Sequence, residues 1–90
     1  HNGHIFSLLL ADGVARDRVL AALRAEGVMA TFHFVPLHSA PAGHRHGRVA
    51  GSMTVTDDVA ARQLRLPIYS GMEPEASARV VARTLHHLGL

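Results

Sequence analysis

The amino-acid sequence predicts an α+β domain, a small and mainly antiparallel sheet with helices packed on one face. Its ninety residues form a single domain, because a chain of this size buries only about 60% of the surface it exposes when unfolded. Two apolar stretches have the length of strands, and three others repeat their apolar residues every three or four positions, as amphipathic helices do. Glycines and prolines punctuate the boundaries. With 48% of its residues apolar, the chain is ordinary for a folded domain and too apolar for a disordered one.

Taken in order, His4–Leu10 is a compact apolar run closed by Asp12-Gly13, the chemistry of a turn, and reads as a largely buried strand. Residues 14 to 26 change period: Ala15, Val19, Ala22 and Leu23 share a helical face, and Gly27 is the natural stop. From Val28 to Val35 the period is two, with Val28, Ala30, Phe32 and Phe34 on one face and Met29, Thr31, His33 and Val35 on the other. Pro36 ends this second strand. Leu37–Met53 contains Pro41, Gly43, Gly47 and Gly51 without a sustained apolar period, so a long loop is expected, a kind of segment that is often functional.

Thr56 is expected to cap a helix with Asp57 and Asp58 in its first turn, where the dipole favours anions. That helix continues through Val59, Ala60, Gln63 and Leu64. Leu66-Pro67-Ile68-Tyr69 is assigned to a short extended segment at a sheet edge, since proline cannot donate to a ladder. In the last helix Pro74 suits the first turn, Ala78, Val81, Ala82, Leu85 and Leu88 form an apolar stripe, and Gly89 ends it. Arg79, Arg83 and His86 lie on another side. No repeat, low-complexity segment or domain boundary is apparent.

The composition excludes several classes of function. The longest apolar run, Leu8–Ala11, is far short of the roughly 20 residues a membrane span needs. With no cysteine there is no disulfide framework, thiolate site or cysteine nucleophile, which fits a reducing, cytoplasmic compartment. All nine basic residues are arginines. The absence of lysine raises the pI to about 10.5 although the net charge is only +2, so the high pI is poor support for a nucleic-acid partner. Basic and acidic residues alternate, and one tyrosine with no tryptophan offers little for base stacking. The chain opens at His1 with no charged-then-apolar leader and reads as a piece of a longer one.

Eight histidines bring metal binding forward. However, the helical i, i+4 spacing is missing, and His44, His46, His86 and His87 read as surface residues. His33, on a strand beside two phenylalanines, and His38, at the start of the loop, are placed to meet a ligand or simply to pack. Arg45 and Arg48 have the bidentate fork that clamps a carboxylate or phosphate, and are equally suited to a solvated loop. No phosphate-cradling glycine loop or nucleophile elbow occurs.

GVMATFHFVPLHSAPAG at Gly27–Gly43, with the opening HNGHIF and LRLPIY at Leu64–Tyr69, resembles the C-terminal part of the DegT/DnrJ/EryC1/StrS sugar-nucleotide aminotransferases, which use pyridoxal phosphate. The likeness is strongest to members that aminate dTDP-4-oxo-6-deoxyglucose for surface polysaccharides. It implies the small C-terminal domain of a fold-type I pyridoxal phosphate enzyme, packed over the active site of a large domain that holds the cofactor, in a homodimer. Amino transfer from glutamate to the sugar's 4-keto carbon is the implied reaction. It needs a lysine amine, so this chain alone is expected to be inactive and to bind no cofactor covalently. The resemblance makes His38 the first substrate-binding candidate and His33 the second, with Arg45 and Arg48 behind them. Phe34 stands where relatives often have tyrosine, and Ser7 where an aromatic is common. The competing readings are a standalone remnant acting as a protein-interaction or dimerisation module, and a histidine-based metal binder.

Overall fold

The computed structural model describes residues 2–90; His1, the first residue of the resembling opening, lies outside the described residues. The elements are β1 (Phe6–Leu9), α1 (Arg16–Ala25), β2 (Thr31–Phe32), α2 (Pro41–His46), α3 (Thr54–Arg62), β3 (Gln63–Leu66) and α4 (Pro74–Leu88). The three strands form an antiparallel sheet in the order β1-β3-β2. The α+β class and antiparallel sheet expected from the sequence are therefore present.

Leu64 is the centre of this arrangement. It pairs with Leu8 on one side and Phe32 on the other and is fully buried. Val19, Leu20 and Leu23 of α1 complete the core with Leu10, Val28 and Ala30, and Val80 and Leu88 of α4 pack against it. Gly27 follows α1 at φ +79° and Gly89 caps α4 at φ +76°, left-handed conformations that favour glycine and stop both helices where the sequence predicts.

Arginine holds the elements together through backbone oxygens. Arg24 donates to the Ala30 carbonyl at 2.9 Å, Arg62 to Leu10 at 2.6 Å and Arg79 to Glu26 at 2.7 Å. Arg16 reaches the Ala60 carbonyl at 2.5 Å and lies 5.6 Å from the centre of the Phe32 ring. A guanidinium's several fixed donors suit this bridging, so much of the basic composition serves the fold.

Several expectations are corrected. β1 is mostly exposed, with Phe6 at 53% and Leu9 at 54%: Leu9 points to the face opposite Leu8, Leu64 and Leu66, which no helix among the described residues covers, whereas Phe6 pairs with Leu66 on the covered face but lines an open cleft beside Val80 and Val81 of α4. The second strand shrinks to Thr31–Phe32, paired with Arg65 and Leu64; just before it the Ala30 amide turns back to the Val28 carbonyl and the Ala30 carbonyl accepts from Arg24, which takes that residue out of the ladder. The extended segment expected at Leu66–Tyr69 is instead Gln63–Leu66, and it is the central strand, which Pro67 terminates. α3 starts at Thr54, so Thr56 lies within its first turn and caps nothing. Within the expected loop, Pro41 at a helix start supports the short α2.

The α4 stripe is also divided. Val80 and Leu88 face the core with buried Thr84, whereas Val81 and Leu85 remain 50% and 42% exposed. Arg83 lies on the side that packs toward α1, where it binds Glu26.

No residue from Thr31 to Gln63 is buried. This segment extends as an arm, which is why the radius of gyration is 15.3 Å against about 12 Å for a compact chain of this length. Phe34, Val35, Leu37, Val49 and Val55 are exposed along it.

Candidate functional site

Pro36 organises the arm. Its carbonyl accepts the Ser39 and Ala40 amides and the Ser39 hydroxyl, each at 3.1 Å, which folds residues 36–40 into a tight turn. α2 then returns so closely that a Cβ built on Gly43 would overlap the Leu37 carbonyl oxygen. Glycine at this position lets the short helix lie directly on the turn that carries His38.

Leu37 is the ridge between two clefts. The first, of about 810 Å³, is lined by His33, Phe34, Val35, Pro36 and Leu37 on one side and by Val55, Thr56, Val59, Ala60 and Gln63 on the other. The second, of about 520 Å³, is lined by Leu37, His38, Gly43, His44, Gly47, Arg48, Val49 and Met53. Both have mainly apolar walls with a few polar groups, the usual character of ligand sites and of domain interfaces.

His38 lies between the turn and α3. Its Nε2 is 2.7 Å from Oδ1 of Asp57, and its side chain is 18% exposed against 59% for the carboxylate. Asp57 occupies the first turn of α3, its amide donating to the Met53 carbonyl at 2.9 Å. This hydrogen bond joins residues nineteen apart in sequence and fixes which ring nitrogen remains for a ligand. On the next turn of α3, the Arg62 guanidinium hydrogen-bonds Asp58 and holds its carboxyl below the usual range.

The candidates from the sequence separate. His38 and Arg48 meet in the second cleft. His33 lies just beyond β2 and lines the first, its ring edge-on to Phe34 at 4.7 Å; its Nδ1 is buried without a hydrogen-bond partner. Arg45 sits on helix α2 rather than a loop, is exposed, and lines neither cleft. Sequence reasoning placed Asp57 only as a helix-start acid and His44 only as a surface residue. Neither has a local signal that reveals its neighbours, because the first depends on a long-range contact and the second on α2.

Among the described residues no group of three or more histidine, cysteine or acidic side chains is placed to hold a metal ion, and no helix is long and apolar enough to cross a membrane. Pyridoxal phosphate, the cofactor implied by the resemblance, does not fit this chain's residues as a covalently held group, since the sequence has no lysine amine for a Schiff base.

A solved structure, that of a DegT DnrJ EryC1 StrS aminotransferase from Brucella abortus, shares this fold with a TM-score of 0.77 and 22% identity, covering 96% of this chain. The match takes up 22% of that protein, so the chain spans less than a quarter of its length. The model of the DegT/DnrJ/EryC1/StrS aminotransferase family matches residues 1–85, nearly the whole sequence. With its fold and its sequence pointing the same way, the chain belongs to the DegT/DnrJ/EryC1/StrS aminotransferase family.

Proposed function

We propose that these residues are the small C-terminal domain of a pyridoxal phosphate-dependent aminotransferase that moves an amino group, with glutamate as donor, onto the 4-keto carbon of dTDP-4-oxo-6-deoxyglucose or a similar nucleotide sugar. The chain alone is inactive, and its part is to position substrate and exclude water over a reaction centre built by a large domain in a cytoplasmic homodimer. The family match over residues 1–85, combined with a sequence that has no lysine, carries this reading. The arm supports it: a long segment with apolar side chains exposed and no buried residue is what a cover lacking its body would show.

Within the arm His38 is the first substrate-facing residue, oriented by Asp57. His33 is second. Holding a reactant in one orientation lowers the entropic cost of reaction, and a covering domain strengthens electrostatic contacts by excluding water.

The test is the reading frame upstream of His1, expressed together with these residues. The expected result is a lysine-containing domain and amino transfer to the nucleotide sugar that is lost when these ninety residues are removed. Covalent cofactor binding and turnover by the ninety-residue chain alone would overturn the division of roles.

The exposed arm also favours a second reading, in which the chain is a remnant whose apolar surface binds a protein partner or a second copy. A stop codon in the upstream frame is its expected signature.

A further inference from the structure

We propose that the sheet face opposite α1 and α4 is a docking surface for the large upstream domain, and that Arg65 at its centre is the anchor, pairing with a carboxylate of that domain. The identity of the partner rests on the aminotransferase reading. The place and the sign of the contact rest on the sheet itself.

Alternation along β3 sends Leu64 and Leu66 toward the core and Gln63 and Arg65 to the other face. In the strand register Ser7 and Thr31 flank Arg65 on its two sides, and Leu9 stands beside Gln63. None of these five residues is acidic. Four arginines are half-buried, Arg16, Arg62, Arg65 and Arg83. Asp17 and the Ala60 carbonyl engage Arg16, Asp58 and the Leu10 carbonyl engage Arg62, and Glu26 engages Arg83. Arg65 has no hydrogen bond or ion pair among the described residues. Uncovered, its guanidinium is served by water. A surface that covers the face removes that water, and a buried cation left without an anion is strongly destabilising. The cover must therefore bring an acceptor, and a carboxylate matches the guanidinium fork in both geometry and sign.

The surroundings of Arg65 favour a protein surface over a small anion. It lines none of the clefts around the sheet, whereas small-molecule sites are concave. Gln63 belongs both to this face and to the wall of the first cleft, so the face runs on into the arm whose apolar side chains already lack a cover. Leu9, 54% exposed, adds apolar area beside the charge, and an arginine set in such surroundings is a common interface anchor. Because β1 begins at Phe6, a domain joined upstream of His1 is tethered within about 20 Å of this strand, which raises its effective concentration at the face.

The experiment is arginine footprinting with phenylglyoxal, quantified at each site by mass spectrometry, on the dilute ninety-residue chain and on the intact protein encoded by the upstream frame. Arg65 is expected to react about tenfold or more slowly in the intact protein. Arg18, exposed on α1 and also without a partner, should react within about twofold in both. Thermal melts supply the second measure. The intact protein should unfold in one transition and its Arg65→Glu variant in two, the earlier one coinciding with the ninety-residue chain. Within the ninety-residue chain Arg65→Glu should melt within about 2 °C of wild type, as a surface substitution does, which also verifies its folding. Arg65→Lys, which keeps the charge, should retain the single transition, and Arg65→Gln, which keeps only a neutral donor, should lose it.

Equal reactivity of Arg65 in the two proteins, or a single transition retained by Arg65→Glu, would overturn the docking face. A large fall in the melt of the ninety-residue Arg65→Glu chain would overturn it as well, by placing Arg65 in the fold's own packing. Coupling kept by Arg65→Gln and lost by Arg65→Lys would overturn the carboxylate, and protection of Arg65 that grows with the concentration of the ninety-residue chain would overturn the upstream partner in favour of a second copy. Any of these with amino transfer intact leaves the aminotransferase reading standing, whereas an upstream frame without a domain ends both.

Discussion

Arg83 on α4 grips both carboxylate oxygens of Glu26, the residue that closes α1; one of its contacts is 2.5 Å. His87 approaches the same carboxylate at 3.1 Å, and Arg79 donates to the Glu26 backbone carbonyl. One residue thus ties the first helix to the last. The Arg83 hydrogen bond, reinforced by His87 and offset in part by desolvation, lowers the Glu26 pKa from 4.5 to about 2.

The sign of the pH dependence follows. Between about pH 4.5 and 2 the unfolded carboxyl takes up a proton that the folded one does not, so stability falls with pH across that window. Glu26 contributes fully above pH 4.5, and its contribution is gone once the pH drops through about 2. Glu26→Gln is expected to lower the melting temperature at neutral pH, with the gap from wild type closing as acid is added. Melting curves across a pH series measure it; a gap that stays constant into acid would assign the effect to packing instead.

At Gly43 the constraint is steric. An alanine methyl would overlap the Leu37 carbonyl oxygen and lie 2.7 Å from its carbon, and both are backbone atoms with little freedom to retreat. Gly43→Ala is expected to push α2 off the turn, destabilise by about 1–3 kcal/mol as overpacking does, and displace His38 from Asp57. Gly51→Ala is the comparator, since nothing lies within 4 Å of its added carbon. Denaturant midpoints and the His38 ring resonances report both effects; a Gly43→Ala protein indistinguishable from Gly51→Ala would contradict the close approach.

Where a periodic segment meets a glycine or proline, the sequence was readable. α1 stops before Gly27 and α4 begins at Pro74 and ends at Gly89, because these depend on neighbours in the chain. The α3–β3 junction was not readable. Gln63 and Leu64 continue the helical spacing, and they become strand because Leu64 pairs with Leu8 and Phe32 and because Leu10 and Arg62 exchange bonds across the junction. His38 was visible as a candidate from its place after Pro36-Leu37, but its partner depends on a contact nineteen residues away. The α4 stripe misled for another reason: apolar spacing marks a face able to be buried and does not say how much of it this chain buries.

Leu64 tests the core. It is fully buried, with a strand on each side and α1 across it. Leu64→Ala is expected to cost about 2–5 kcal/mol, a lost transfer term plus a cavity. A domain of this size has roughly 5–13 kcal/mol in total, so the variant should lose a large share of its stability. Urea unfolding of Leu64→Ala beside Val55→Ala, a residue 78% exposed, makes the comparison. Val55→Ala should stay within about 0.5 kcal/mol of wild type.

Leu37 and Val55 lie across the first cleft from one another at 86% and 78% exposure, so the fold gains little from either. Their apolar surface is useful only against another surface. Without a covering body the ninety-residue chain is therefore expected to self-associate as its concentration rises. Leu37→Glu with Val55→Glu should suppress that association, since paired copies would bury unpaired carboxylates, while the melting temperature of dilute protein stays unchanged. Light scattering over a concentration series checks the first expectation and a thermal melt the second. A wild-type chain that remains monomeric at high concentration would show that the arm does not require a cover, and a large fall in the melting temperature of the double variant would place these side chains within the fold's own packing.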